Sequence, residues 1–448
     1  MIPCPQDRAM TPLRGCRVLV VSTAFALALI VPSTTGWAAT PGGQRWSMPF
    51  GPGYIVNIEA IAMSSDVVVA LGFVQGLTAD TRDRRVIAYD AGTGAVDWSD
   101  TFDASGETDN AEDVVMGPSG KRVFVTGESY VSRRRGYDIV TTAFAAGTGT
   151  RLWTRLYDGP HGEFDAARGI DIDGDGQRLF VAGTSNNDYL TIAYRAVDGK
   201  QLWTHRFDDG VKDDATDIGA SPSGNQVFVT GTSGPGIGTD YATVAYRADD
   251  GAELWRRSFG SAAHGDQAWA LAVGPSGTRL YVTGQSTGST TEQDIATIAY
   301  RSTTGETAWK VRYDGPASLK DRGKGIAVEP DGSTVFVAGS SEHATDQYDK
   351  VTIALASDTG TENWSTRDDS NAGWPLAVTP DGGTVAAPGF TTVAYDTMTG
   401  MQQWSVDDQT MFIVADPDGT QVITASEETD FPDPDSPTIP STSPRRRR

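Results

Sequence analysis

A glycine followed four residues later by a tryptophan recurs eight times along this chain. The intervals between the first seven tryptophans run from 50 to 55 residues, and the last interval is 40. A fixed period of this length indicates one supersecondary unit that repeats, so the 448 residues are expected to stack into one body. The repeated tryptophans, predicted to be structural, are Trp46, Trp98, Trp153, Trp203, Trp255, Trp309, Trp364 and Trp404.

Each repeat contains four short strand patterns. In the copy at residues 267–309, the segments 268–273, 279–284 and 294–300 are rich in β-branched and aromatic residues, and Gly, Pro and Ser turns separate them. A fourth strand begins just before Trp309. Four antiparallel strands in about fifty residues predict one blade of a β-propeller.

The number of blades follows from the hairpins formed by the first two strands of each repeat. Eight such hairpins and eight tryptophans favour eight blades, and seven blades plus a stray hairpin is the alternative. The repeats open with a lone fourth strand around Trp46 and end on a hairpin at residues 412–425. We therefore predict an all-β fold, a single propeller over residues 39–426, with its ring closed by an N-terminal strand that removes open edges.

Both ends of the chain differ from the repeats. Residues 1–38 are typical of a secretory signal peptide, because three arginines precede an apolar stretch and the small residues Gly36 and Ala38 occupy positions −3 and −1 of a cleavage site. Both cysteines lie in this segment, so the mature chain is expected to have no thiol and no membrane span. Residues 427–448 contain five prolines and end in four arginines, which predicts a disordered tail. We expect a secreted protein, extracellular or in the cell envelope.

The net charge of the chain makes some classes of binding partner unfavourable. The formal net charge of −22 disfavours nucleic acid and anionic membrane. The partner is expected to be a protein or a cell-envelope ligand that the sequence does not identify. The four histidines share no repeat position and no metal-ligand spacing, so they predict no metal site.

Two series of aspartates recur with the repeats. One precedes the innermost strand and the other precedes the third strand of each blade. Because strands alternate in direction, both series are expected on one face, together with the long loops. The first series is Asp109, Asp165, Asp213, Asp266, Asp321 and Asp408, and the second is Asp83, Asp138, Asp188, Asp240, Asp294 and Asp349.

These aspartates have two interpretations. Each carboxylate can accept backbone N–H groups and hold its own turn. Alternatively, together they form an acidic ring around the central channel that holds cations or basic partners. Long loops on a rigid scaffold are where binding sites are usually found, so this long-loop face is the candidate binding surface.

One short segment resembles the start of a calcium-binding loop. Asp171, Asp173 and Asp175 occupy alternate positions before a glycine, but the later ligands of such a loop are missing. The segment also aligns with an ordinary hairpin turn. Calcium is the one cofactor that this pattern leaves open.

The stretch from Ala88 to Trp98 resembles the tryptophan-docking repeat of pyrroloquinoline-quinone-like propellers, and the stretch from Ala394 to Trp404 is equally similar. Members of that family include quinone-dependent dehydrogenases and non-enzymatic scaffolds such as an outer-membrane assembly propeller. The dehydrogenases need a calcium site, an adjacent cysteine pair and a catalytic aspartate. The mature chain lacks the cysteine pair, so we expect no quinone cofactor.

Since a fold does not define a function, the resemblance leaves two hypotheses. The first is a non-enzymatic binding scaffold that uses the acidic long-loop face. The alternative is an extracellular enzyme with its active site in the central funnel, either a quinone-dependent dehydrogenase or a hydrolase or lyase. A converging set of unrepeated polar residues would favour the enzyme, and the sequence pattern reveals none. No catalytic residue is predicted.

Overall fold

The computed structural model of the chain describes residues 18–22, 26–30, 56–75, 81–103, 107–132, 136–160, 164–208, 210, 212–234, 238–260, 265–288, 292–345, 347–369, 376–407, 410–415, 417 and 422–426. Throughout these ranges the regular secondary structure is strand, with no α-helix. Accordingly, no described helix is long and apolar enough to cross a membrane. Trp46, Asp408 and residues 427–448, about which predictions were made above, lie outside the described residues.

Strands are numbered along the chain and grouped into blades. The first half of the chain contains β1 (Val18–Ser22), β2 (Ala26–Ile30), then blade 1 with β3 (Val56–Met63), β4 (Val67–Gln75), β5 (Arg82–Asp90) and β6 (Val96–Phe102), blade 2 with β7 (Asp109–Met116), β8 (Arg122–Ser132), β9 (Gly136–Ala145) and β10 (Arg151–Tyr157), and blade 3 with β11 (Asp165–Ile172), β12 (Arg178–Ser185), β13 (Asp188–Arg195) and β14 (Lys200–Phe207).

The second half continues the same order. It contains blade 4 with β15 (Asp213–Ala220), β16 (Gln226–Ser233), β17 (Asp240–Arg247) and β18 (Glu253–Phe259), blade 5 with β19 (Gln267–Val273), β20 (Arg279–Thr287), β21 (Gln293–Arg301) and β22 (Thr307–Tyr313), blade 6 with β23 (Asp321–Val328), β24 (Thr334–Ala344), β25 (Gln347–Ala356) and β26 (Glu362–Asp368), blade 7 with β27 (Ala377–Val378), β28 (Thr384–Ala387), β29 (Thr391–Asp396) and β30 (Gln402–Asp407), and finally β31 (Thr410–Ala415) and β32 (Val422–Ser426).

The blades form a ring. In blades 1 to 7 each sheet is a four-stranded antiparallel meander whose first strand is innermost. Each innermost strand contacts the innermost strand of the next blade, and β31 contacts both β27 and β3. Ile423 and Ala425 of the eighth sheet pack in one apolar cluster with Val68 and Tyr89 of blade 1. The structure therefore confirms the all-β propeller with eight blades.

The eighth sheet is built differently from the other seven. Its strand order is β2-β1-β32-β31, and β1 pairs with β32 in parallel, whereas the described pairs of the other sheets are antiparallel. The N-terminal part of the chain thus contributes strands to the last blade. These strands come from residues 18–30, within the segment that the sequence predicts to be a signal peptide. The closing strand predicted around Trp46 lies outside the described residues.

The core lies between blades. The second and third strands of each blade are apolar over consecutive residues, because both faces of the sheet pack against a neighbouring blade: Val123, Phe124 and Val125 are all nearly inaccessible. The fourth strands are mostly exposed or half-buried, and the repeated tryptophan takes a buried position. Packing between blades therefore provides most of the buried apolar surface.

The repeated tryptophan docks on the repeat glycine of the next blade. The Trp203 indole Nε1 donates to Ala248 O of the next blade at 2.9 Å. A Cβ at Gly251 would lie only 2.6 Å from the Trp203 ring, and Gly251 has φ +72°. Glycine is therefore required both by its backbone conformation and by the ring packed on it. The same docking is made by Trp98, Trp153, Trp255, Trp309 and Trp364.

Candidate functional site

The two predicted aspartate series meet at the junctions between blades. At four junctions a carboxylate from each series lies beside a third, which follows the fourth strand and was missed by the sequence analysis. Within each group, one carboxylate oxygen per residue lies within 4.8 Å of the others. The groups are Asp83, Asp103 and Asp109; Asp138, Asp158 and Asp165; Asp188, Asp208 and Asp213; and Asp294, Asp314 and Asp321.

The first series is buried and bonded to backbone. Asp165 accepts the Gly159 N–H at 2.6 Å, Asp321 accepts the Gly315 N–H at 2.6 Å, and Asp266 accepts the Thr287 N–H at 2.8 Å. Asp109 and Asp213 are buried at the equivalent positions. Burial raises the pKa of Asp165 and of Asp321. The geometry thus gives this series a role in holding turns.

Several members of the second series form ion pairs with an arginine of the fourth strand in the same blade. Asp188 binds Arg206 at 2.8 Å, and Asp349 binds Arg367 at 2.8 Å. Asp294 lies 3.3 Å from Arg312. Asp240 has a pKa raised by burial and by the neighbouring Asp266. In blades 3, 5 and 6 the charge of the second-series carboxylate is therefore balanced by an arginine of the same blade.

Hard oxygen ligands of this kind suit a calcium ion, and the four groups are the described residues that could hold one. The junction between blades 4 and 5 departs from the pattern, because Gly260 stands where a third aspartate is expected. A Cβ at Gly260 would lie 2.3 Å from Asp240 Oδ1 and 2.5 Å from Asp266 Oδ2. That junction accommodates no side chain between its two carboxylates.

The calcium-loop candidate lies in the turn after β11. Asp173 pairs with Arg178 at 2.8 Å and accepts the Gln177 N–H at 2.8 Å. Asp171 points the other way and accepts the Ala220 N–H of blade 4 at 2.7 Å. Asp175 accepts the Gln177 N–H at 3.0 Å. Although Asp173 and Asp175 are neighbours, the structure does not bring the three carboxylates together.

Three carboxylates bridge adjacent blades along the channel wall. Asp113, Asp171 and Asp217 each accept one backbone N–H of their own strand and one of the next blade, from Ile170, Ala220 and Leu271 respectively. Burial raises their pKa values to about 7, 6 and 7 respectively. These side chains connect blades 2 to 5 in sequence.

Each innermost strand of blades 1 to 6, and β31, carries a β-bulge at the same point. Bulges are common next to functional sites because they redirect a side chain. The bulged residue varies around the ring, with glutamate in blades 1 and 2 and a different residue at each of the other bulges, in contrast to the repeated residues around it. In chain order the bulged residues are Glu59, Glu112, Arg168, Thr216, Trp269, Lys324 and Met411.

Three consecutive bulged residues line one cavity. Arg168, Thr216 and Trp269, from blades 3, 4 and 5, border a space of about 350 Å³. The other lining residues belong to the starts of first strands and to the ends of second strands, which places the cavity on the long-loop face. They are Lys212, Asp214, Ala215, Thr232, Gly234, Thr239, Gln267 and Ala268. We call this space the channel-mouth cavity.

A pair of glutamates lies behind Arg168. Glu112 is 3.5 Å from Arg168 and hydrogen-bonds to Glu128, which also accepts Asn110 Nδ2 at 3.1 Å. Burial, then Glu128, raises the pKa of Glu112 to about 8, although Arg168 opposes the shift. Burial and the mutual repulsion of the two carboxylates therefore favour protonation of the pair.

The bulged residues were not predicted from the sequence, because a repeat pattern highlights the residues that recur. Their signal is a column of the repeat, three residues after the first-series position, whose residue varies in all but the first two blades. Trp269 is a tryptophan outside the repeat position. Trp374 occupies the same column in blade 7 and lies outside the described residues.

Comparison with known proteins supports the fold. A family model described as outer membrane protein assembly factor BamB matches residues 35–161, 136–297 and 291–428. Among solved structures, Kuenenia stuttgartiensis hydrazine synthase aligns with 70% of this chain and 91% of its own, at 13% identity and a TM-score of 0.50, a likeness of fold alone. A search of curated protein sequences finds no match. Because the matches to the family model span most of the chain, this protein belongs to the family of PQQ-like β-propeller repeat proteins whose model is described as assembly factor BamB.

Proposed function

We propose that this protein is an exported, non-enzymatic binding propeller that receives its ligand in the channel-mouth cavity on the long-loop face. The observation that supports a binding site is the convergence of Arg168, Thr216 and Trp269 on one cavity. Such a set would also suit an enzyme, but the described lining includes no histidine, cysteine or serine, and its carboxylate, Asp214, is paired with Lys212, so we favour binding over catalysis. Residues that vary between repeats are free to serve a ligand, whereas repeated residues serve the fold. The volume of the channel-mouth cavity lies within the range of small-molecule sites, roughly 300–1,000 Å³.

The acidic residues of the same face contribute mainly to its framework. The first-series carboxylates hold turns, and the ion pairs of the second series fasten the third strand to the fourth. We therefore propose that the ligand contacts the cavity rather than the aspartate series.

A quinone cofactor does not fit the channel-mouth cavity. Asp214 is the one carboxylate among the described residues that line it, and it is already bound by Lys212 and by Thr184 Oγ1 at 3.0 Å. The cavity therefore offers no set of carboxylates for the calcium ion that quinone-dependent relatives require.

Blocking the cavity tests the proposal. Thr239→Trp fills the cavity from a connecting segment, and Thr148→Trp makes the same change at an exposed turn on the opposite face. A small-molecule fraction of a cell-wall digest is added, and melting temperatures are compared. We expect the fraction to stabilise the wild type and Thr148→Trp by up to about 3 kcal/mol at saturating ligand, and to leave Thr239→Trp unchanged. Equal stabilisation of all three proteins would place the ligand elsewhere.

A further inference from the structure

The lining of the channel-mouth cavity combines an aromatic ring with many polar groups. Trp269 provides an indole on one wall, and the amide of Gln267 lies next to it along the same strand. Threonines 216, 232 and 239 contribute hydroxyl-bearing side chains to the other walls. An indole face stacks on the C–H bonds of a sugar ring, while amides and hydroxyls hydrogen-bond its hydroxyl groups. This mixture matches a carbohydrate better than it matches an apolar ligand.

The charges of the cavity favour an acidic ligand. Among the described lining residues, Arg168 and Lys212 are the two cations and Asp214 is the one carboxylate. Asp214 pairs with Lys212, which leaves Arg168 to be balanced from outside the cavity. Its neighbour there is Glu112, which lies 3.5 Å away and hydrogen-bonds to Glu128, and burial raises the pKa of both glutamates. The described lining thus carries one cation more than it has carboxylates, on a protein whose formal net charge is −22.

Arginine is well suited to a carboxylate ligand. Its planar guanidinium matches the two oxygens of a carboxylate and can donate to both of them. One Arg168 nitrogen, Nη1, donates to Ala167 O at 3.0 Å, which anchors the side chain on its own strand. Arg168 and Trp269 come from blades 3 and 5 and border the same space, with Thr216 of blade 4 between them.

From this arrangement we infer that the ligand is an acidic carbohydrate, a uronate-type sugar whose ring stacks on Trp269 and whose carboxylate pairs with Arg168. This inference builds on the proposed function, since it names the ligand class of the same cavity.

Calorimetric titration of the full chain with two matched probes tests it. The probes are trigalacturonic acid and its methyl ester, which keeps the rings and masks the carboxylates. The acid is expected to bind about tenfold or more tightly than the ester, because a charge-assisted hydrogen bond is lost on esterification. Arg168→Gln and Trp269→Ala should each weaken binding of the acid about tenfold or more. Arg195→Gln breaks an exposed ion pair with Asp198 on the opposite face and should leave binding unchanged.

The remaining outcomes separate the ligand class from the site. Equal binding of acid and ester, abolished in both cases by Thr239→Trp, would overturn the acidic class and keep the cavity. No binding of either probe would also overturn the ligand class. In that case the melting temperatures with the cell-wall fraction would still test whether the cavity binds a ligand. Binding of the acid that survives both Thr239→Trp and Trp269→Ala would overturn the class and the site together.

Discussion

At the scale of single residues, the repeated tryptophan shows how one side chain organises two blades. Trp203 is nearly buried, donates its indole N–H to the next blade, and lies against Phe180 with ring centroids 6.0 Å apart. The glycine that the sequence pairs with each tryptophan serves the tryptophan of the preceding blade. In a glycine–tryptophan pair of the repeat, the glycine therefore contacts the preceding blade and the tryptophan contacts the next blade.

Trp203→Ala is expected to cost about 3–5 kcal/mol, because it empties a packed site between blades and leaves Ala248 O without its donor. Urea denaturation measures the loss. Leu202→Ala is the matched control, since Leu202 precedes it and is 41% exposed. That change should stay within about 0.5 kcal/mol. A cost for Trp203→Ala that is no larger than the control would show that the docking contributes little.

At the scale of strands, the innermost strands carry both the structural links and the candidate site. Asp113, Asp171 and Asp217 have pKa values raised by burial, so the folded protein binds more protons than the unfolded chain between about pH 4 and pH 7. Their contribution to stability is complete at the acidic end of this window and is lost as the pH rises through the folded pKa values.

Asp113→Asn should therefore flatten the dependence of unfolding free energy on pH between 4 and 7, within the window set by the raised pKa of about 7. An asparagine accepts fewer N–H groups than a carboxylate, so the variant should also lose part of the link to Ile170. Denaturation at several pH values measures both effects. The exposed Asp250→Asn, whose pKa is lowered by its bond to the Ala252 N–H, should leave the slope in this window as it is. A wild-type slope in Asp113→Asn would contradict the assignment.

Strands and turns were predictable from sequence because each repeat shows the same alternation of residues and the same turn glycines. The site was not predictable in the same way. The contact of Glu112 with Glu128 depends on the register of β7 against β8, in which Asn110 pairs with Glu128. That Arg168 and Trp269 border one cavity depends on the curvature of a ring through three blades. The repeat period predicts neither of these arrangements, although the variable column of the repeat identifies Glu112, Arg168 and Trp269 as candidates.

The two aspartate series show an intermediate case. Strand direction correctly placed Asp138 and Asp165 on one face, and the structure brings their carboxylates together at a junction. What the pattern could not show was burial, because the backbone donors that Asp165 binds belong to a loop. The N–H of Gly159 lies six residues before Asp165 and only 2.6 Å from its carboxylate.

At the scale of the whole molecule, the open question is which segment completes the eighth blade. The structure places β1 and β2 there, yet both come from the predicted signal peptide. Removing that peptide leaves the lone strand predicted around Trp46 as the candidate to pair with β32. We expect the exported protein, after removal of the signal peptide, to pair the strand around Trp46 with β32.

Three chains test this expectation. Residues 39–448 should melt within about 2 °C of the full chain, because the sequence predicts the closing strand after residue 38. Residues 51–448 should melt several degrees lower and associate, since the last blade would then expose a strand edge. Thermal melts and sedimentation measure the two effects. A full chain far more stable than 39–448 would instead assign β1 and β2 to the native blade.

Among the described residues, the carboxylate links along the channel wall join blades 2, 3, 4 and 5. They hold the four innermost strands of these blades at fixed positions relative to one another. Arg168, Thr216 and Trp269 all belong to these strands. A ligand that enters between the three residues would therefore lose little affinity to ordering the protein.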